Sequence, residues 1–146
     1  MAEPTTNYIE IDGEGKYIED TEAREGVAQN AADIANLISS LQWQNKTTDF
    51  PLSYDTTKIN TIYIYKQEIN VGLKLAHLHI EFTPKINLTN AKDIITGMKM
   101  PNNRCVLTIS SGDAVKPSYF FFSQTETYIT VEKDVGYILD GFYRIN

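Results

Sequence analysis

Along the chain the spacing of apolar residues changes character near residue 59. In "VAQNAADIANLISSL", residues 27–41, Val27, Ala31, Ile34, Ile38 and Leu41 stand four, three, four and three residues apart. That is the heptad spacing whose first and fourth positions form a seam. Gln29, Asn30, Asp33, Asn36 and Ser39 occupy the other faces, so the pattern predicts a helix with a narrow apolar stripe. A helix lying on a globular core usually carries a broader one. A copy of the same helix covers a narrow seam, whereas Ala35 and Leu37 would widen the stripe for a helix capping a sheet. Isolated helices below ~12–15 residues are marginal in water, so a bundle of about two heptads needs support from elsewhere in the chain.

From Ile59 onward the period is two. "INTIYIYK", "LKLAHLHIEF", "RCVLTISS", "SYFFFSQ", "TYITVEK" and "GYILDGFYRIN" are rich in the β-branched and aromatic residues that fit a pleated surface. "KQEIN", "SSGDAVKP" and "KDVG" between them carry turn chemistry. "INLTNAKDIITGMKMP" allows a short helix with Ala91, Ile95 and Met98 on one face, or a strand pair interrupted at Gly97; strands are expected. Near the N-terminus, "NYIEIDGEGKYIE" shows two alternating runs around Asp12-Gly13-Glu14-Gly15, which reads as a hairpin or tight loop. "DGEG" lacks the remaining ligands of a calcium-binding EF-hand loop. The polar stretch "QWQNKTTDFPLSYDTTK" reads as a neck.

The fold class expected is therefore mainly β. Residues 1–41 form a docking segment and a short trimeric α-helical bundle, residues 42–58 a neck, and residues 59–146 an antiparallel β-sandwich or barrel head. A head of that size buries limited apolar surface by itself, and trimerisation supplies further cover.

Charge refines this picture. The net charge of −6 argues against nucleic acid as a partner, because phosphate backbones need a basic face. Residues 1–40 hold nine acids and two bases, leaving ten acids and eleven bases to the remainder. Glu19, Asp20, Glu22 and Glu25 crowd the start of the helix, where they favour the positive end of its dipole. An apolar fraction of 42% excludes wholesale disorder. No run approaches the ~20 apolar residues that cross a bilayer, so membrane insertion is not expected. The start "MAEPTTNYIEIDGEG" does not read as a secretory signal, and folding in a cytoplasm is expected. The sequons at Asn45 and Asn87 then read as chance matches.

Catalytic chemistry finds little purchase. Nucleophile motifs and phosphate-cradling glycine loops are absent, and Asp113, Asp134 and Asp140 are not paired by anything in the pattern. No enzymatic activity, cofactor or metal is expected. The single cysteine, Cys105, excludes an intrachain disulfide and alternates with Leu107 and Ile109 as a small core residue. His77, His79 and Glu81 share one strand face. Such a pair can bind a metal if a third ligand comes from Glu81 or from symmetry copies; the plainer reading is a polar face at a wet surface or subunit seam. Asn102, Asn103, Arg104, Asp113, Lys116, Tyr119, Tyr137 and Tyr143 place amides and charges among aromatics, a composition suited to sugars. The saccharide-binding candidates are His79, Arg104, Asp113, Tyr119 and Tyr137.

Together, "YIEIDGEGKYIEDTEAREGV" and "MPNNRCVLTISSGDAVKPSYFFF…GYILDGFYRIN" resemble the two ends of receptor-binding proteins at the tail tips of phages that infect Gram-positive bacteria. In that family an "IDG" turn and a "D-x-E-A-R" helix start precede a trimeric stalk, and a head with a proline-containing loop closes on a tyrosine-bearing strand. The resemblance implies a homotrimer at the virion tail tip, docked to other baseplate or tail proteins by its N-terminal part, with the head binding host cell-wall polysaccharide. Family heads also place tryptophan at the sugar, whereas Trp43 stands here at the helix end, so no binding residue is carried over.

Overall fold

A computed structural model describes residues 7–11, 14–18, 21–111 and 118–146, with side chains described from Ala23 onward. Asp113 and Lys116, and the Asp12-Gly13 part of the expected turn, lie outside the described residues. The chain divides into two compact units, residues 1–39 and 40–146.

In the first unit, β1 (Asn7–Ile11) and β2 (Glu14–Ile18) pair antiparallel with Ile11 opposite Glu14, as the two alternating runs predict. Helix α1 (Thr21–Ser40) follows and includes most of the heptad stretch. Val27, Ala31, Ile34, Ile38 and Leu41 are all exposed, and so is Leu37.

The second unit is built on an eight-stranded antiparallel sheet. Its strands are β3 (Trp43–Asn45), β5 (Ile59–Asn70), β6 (Leu75–Pro84), β7 (Leu88–Lys92), β9 (Cys105–Ser111), β10 (Ser118–Phe122), β11 (Thr127–Val131) and β12 (Tyr137–Arg144). They are ordered β3-β5-β6-β12-β9-β10-β11-β7. A two-stranded ribbon joins β4 (Ser53–Tyr54) to β8 (Ile95–Thr96). The described residues are thus mainly β, with one helix near the N-terminus, and residues 86–100 carry strands.

Period-two alternation places the core on one side of this sheet. Along β6, Ala76, Leu78, Ile80 and Phe82 are fully buried, while His77, His79 and Glu81 point the other way. The same inward set includes Leu107, Ile109, Phe120, Phe122, Ile129, Val131, Leu139 and Tyr143. Ile94, Ile95 and Met98 are buried in that cluster, with Phe50, Leu52 and Tyr54 packed against it. Gly97 permits the close approach of the β8 end to residues 51–52: its φ is +96°, and a Cβ there would lie 2.1 Å from the Pro51 carbonyl oxygen.

Two segments differ from the sequence expectation. Residues 43–45 of the expected neck form the edge strand β3, paired with Glu68–Asn70, so the sheet begins before Ile59. "KQEIN" is not a turn; β5 runs through it to Asn70, and the turn falls at Val71–Lys74, where Lys74 adopts φ of 52°. Two of the polar residues that suggested a turn, Gln67 and Asn70, are instead buried and satisfied. Gln67 donates from Nε2 to the His77 carbonyl at 3.0 Å and to the Tyr143 hydroxyl at 3.2 Å, and its Oε1 accepts from the Lys99 amide at 3.2 Å. Asn70 donates to the Leu41 carbonyl and accepts from the Leu73 amide. Burying an amide costs little when its hydrogen bonds are replaced.

Candidate functional site

The outward face of the sheet carries the chemistry. Directly opposed residues in an antiparallel sheet share a face, so Glu68, His77 and Phe142 form one outward row. Lys66, His79, Asp140, Thr108 and Tyr119 form another, one pleat along. Between these rows the titratable side chains join in a ladder. Lys66 Nζ lies 3.0 Å from Glu68 Oε1, and Glu68 Oε2 lies 3.3 Å from His77 Nδ1. His77 Nε2 lies 3.2 Å from Asp140 Oδ2. That same oxygen lies 2.7 Å from His79 Nδ1, and His79 Nε2 lies 3.1 Å from Glu81 Oε1.

Each imidazole is therefore bracketed by two carboxylates. A neutral ring has one N–H and one lone pair, so both of its bonds form together only when the ring carries two N–H groups. The bond from Asp140, reinforced by Glu81, raises the pKa of His79 above its usual value, against an opposing effect of burial. The Lys66 ammonium, with help from His77, holds the Glu68 carboxyl below the usual carboxylate range. Among the described residues no group of three or more His, Cys, Asp and Glu side chains is placed to hold a metal ion; the donors sit at hydrogen-bond separations from one another.

The linkage has a definite sign. A raised imidazole pKa contributes stability that is complete below its unfolded value and is lost as pH rises through the folded one. A depressed carboxyl contributes above its unfolded value and fades as pH falls through the folded one. With reference values of 6.5 for His79 and 4.5 for Glu68, the ladder stabilises the head most between those two pH values. Asp140→Asn is expected to flatten the alkaline side of that profile and leave the acid side, as read from urea midpoints across pH.

Aromatic rings adjoin the ladder. Phe142 stacks on His77 with centroids 4.5 Å apart and planes 21° from parallel, and Trp43 lies 5.6 Å from Phe142 in a tilted arrangement. Phe142 remains 62% exposed. It also lines a cleft of about 200 Å³ together with Asn102, Asn103, Arg104 and Arg144. A larger cleft of about 450 Å³ shares residues 102–104 and continues along Ser123, Gln124, Thr125 and Glu126. The loop between them is pinned at two points: the Asn102 amide donates to the Arg144 carbonyl at 2.9 Å, and Gln124 Nε2 donates to the Asn102 carbonyl. Among the described residues the side-chain amides of Asn102 and Asn103 make no hydrogen bond. The Arg104 guanidinium lies over the Phe121 ring, 5.9 Å from its centroid, and acts on Glu126 at longer range. Glu126 is itself tied to Lys92 at 3.0 Å and to the Tyr128 hydroxyl at 2.9 Å.

The four saccharide-binding candidates among the described residues, His79, Arg104, Tyr119 and Tyr137, are not gathered in one place. Arg104 sits at the junction of the two clefts. His79 and Tyr119 share a row but are three strands apart, about 14 Å at ordinary strand spacing. Tyr119 is exposed and donates its hydroxyl to Asn90 at 3.2 Å. Tyr137 does not offer a ring to a ligand: it is 2% exposed, stacks on Phe82, and accepts from the Glu132 amide at 3.0 Å. Tyr143 is likewise buried, edge-on to Phe122. Cys105 is partly buried against the core, and burial pushes its thiol up to about 11, well away from reactive thiolate. Sequence reasoning missed Trp43 and Phe142. The signal for Phe142 was available in the parity of "YILDGFYR", where Tyr137, Leu139 and Tyr143 face in and Ile138, Asp140 and Phe142 face out. Comparison with protein-family models, curated proteins and solved structures returned no match.

Proposed function

We propose that this protein is a non-enzymatic, homotrimeric receptor-binding protein of a phage tail tip, with a head that binds host cell-wall saccharide. The observation that carries the reading is the seam of α1: a heptad-spaced apolar stripe exposed along its length, from 55% at Ile38 to 69% at Val27. Three such helices cover one another as a short bundle through Val27, Ala31, Ile34, Ile38 and Leu41. The β1–β2 hairpin and the acidic segment around it are then the part that docks to other tail proteins, and the head is a sandwich- or barrel-like β module. Binding by the head rests on the polar clefts around Arg104, where side-chain amides and a cationic fork adjoin an exposed ring. Single saccharide sites are weak, and linked copies raise the effective concentration of each next contact, by ~10²–10⁴ in avidity.

A mass in solution near three times 16.5 kDa is expected from light scattering of the full chain, and a concentration-independent monomer would remove the trimer. Soluble protein is expected to bind a printed array of bacterial cell-wall glycans and to block phage adsorption. The exposed apolar residues Ile64, Val106 and Ile138 on the outward sheet face favour one other reading, a structural connector trimer of the baseplate without a receptor site. Trimeric mass with silence in both binding assays would select it.

A further inference from the structure

The ladder and the clefts meet at a single side chain. Phe142 has one ring face against His77 and borders the cleft formed with Asn102, Asn103 and Arg104. We propose that Phe142 is the stacking platform of a saccharide site at the Asn102–Arg104 loop, and that the His77–Asp140–His79 ladder holds this platform in place only while its imidazoles are protonated. The inference rests on the saccharide-binding reading above and adds to it a location and a control.

Sugar recognition needs an apolar ring for the C–H patches and polar groups beside it for the hydroxyls. Phe142 supplies the first, with Trp43 packed at its side. The side-chain amides of Asn102 and Asn103 and the Arg104 guanidinium supply the second, each able to donate to a hydroxyl and the amides able to accept as well. The loop that carries them is fastened to β12 through the Asn102–Arg144 bond, one strand position pair from Phe142, so ring and loop are held on the same element.

Control enters through the opposite ring face. A charged imidazole under an aromatic face is a cation–π contact. Glu68 and Asp140 lie at the two ring nitrogens of His77, while Lys66 pairs with Glu68, and His79 pairs with Asp140 and Glu81. Removal of the protons turns imidazole lone pairs toward carboxylate oxygens at both rings. The ladder then loosens, and Phe142 loses its backing. The raised pKa of His79 is in keeping with this direction.

The full chain is tested on the bacterial glycan array at about pH 5.5 and about pH 8, on either side of the ordinary imidazole range. Wild-type binding is expected to weaken roughly fivefold at the higher pH, the size of a partly exposed cation–π contact. Phe142→Ala is expected to lower binding roughly tenfold at both pH values with an unchanged urea midpoint, as befits an exposed ring. His77→Gln is expected to bind at the weaker level and to lose the pH dependence. Titration of the two histidine ring protons by NMR gives a readout without ligand: in wild type the titration is accompanied by a change in Trp43 fluorescence, which Phe142→Ala removes. Binding that survives Phe142→Ala would overturn the platform while the saccharide reading stands. Binding that needs Phe142 yet is unchanged between the two pH values would overturn the proton control. Silence of the wild-type protein on the array would overturn the receptor reading and the platform with it.

Discussion

Replacing Gln67 by leucine is expected to lower the stability of the protein by roughly 3 kcal/mol, measured as a fall in the urea midpoint with an unchanged slope. The side chain is fully buried in β5 and ties three elements together: the β6 backbone at His77, the β12 hydroxyl of Tyr143, and the backbone of Lys99. Leucine matches the volume approximately but leaves the Lys99 amide and the Tyr143 hydroxyl without one partner each. A buried polar group left unsatisfied costs about 1–3 kcal/mol, more than a typical hydrogen bond contributes net. Tyr143 still donates to the Lys99 carbonyl, which limits the loss at that end. A change below about 1 kcal/mol would show that the Lys99 segment is held by apolar contacts alone.

The double substitution Ile34→Asp and Ile38→Asp is expected to abolish the proposed trimerisation while leaving the β signal of residues 40–146 in place. In a three-helix seam each of these isoleucines is buried twice over by neighbouring copies, and full burial of such a side chain contributes about 1.5–3 kcal/mol. With two sites in each of three chains, and carboxylates forced together where isoleucines stood, the sum exceeds what a bundle of about two heptads can lose. Light scattering should report a mass near 16.5 kDa in place of three times that value, and far-UV circular dichroism should keep the strand contribution. Loss of all β structure would contradict the division into units at residues 39–40. An unchanged mass would show that assembly runs through another surface.

Particular stretches of the chain carry much of this fold in their local pattern. "LKLAHLHIEF" alternates so regularly that its inward set, Ala76 to Phe82, and its outward set, His77 to Glu81, follow from parity alone. The heptad stretch marks α1 equally well, because helical periodicity survives whatever the helix later packs against. "WQN" was read as neck and "KQEIN" as turn because their residues are polar. In the fold the side-chain amides of Gln67 and Asn70 are answered by groups far away in sequence, Gln67 by the Tyr143 hydroxyl across 76 positions and Asn70 by the Leu41 carbonyl across 29. Tyr137 was a reasonable binding candidate by composition, and burial against Phe82 withdrew it. The ladder was half visible: the shared face of His77, His79 and Glu81 is a local fact, but Asp140 reaches them only because β12 pairs with β6 at that register.

What the sequence by itself determined is which side of each element is greasy and which is wet, since side-chain period is a property of neighbouring residues. It thereby determined the helix with its exposed seam, the antiparallel β head, and the pairing of two histidines on one face. What only the tertiary structure decided is which wet residues meet: Asp140 between two imidazoles, Phe142 against His77, and Asn102 to Arg104 beside them. Strand order and register set those encounters. They are fixed by the global packing of core side chains, a sum over contacts distant in sequence that no local pattern contains.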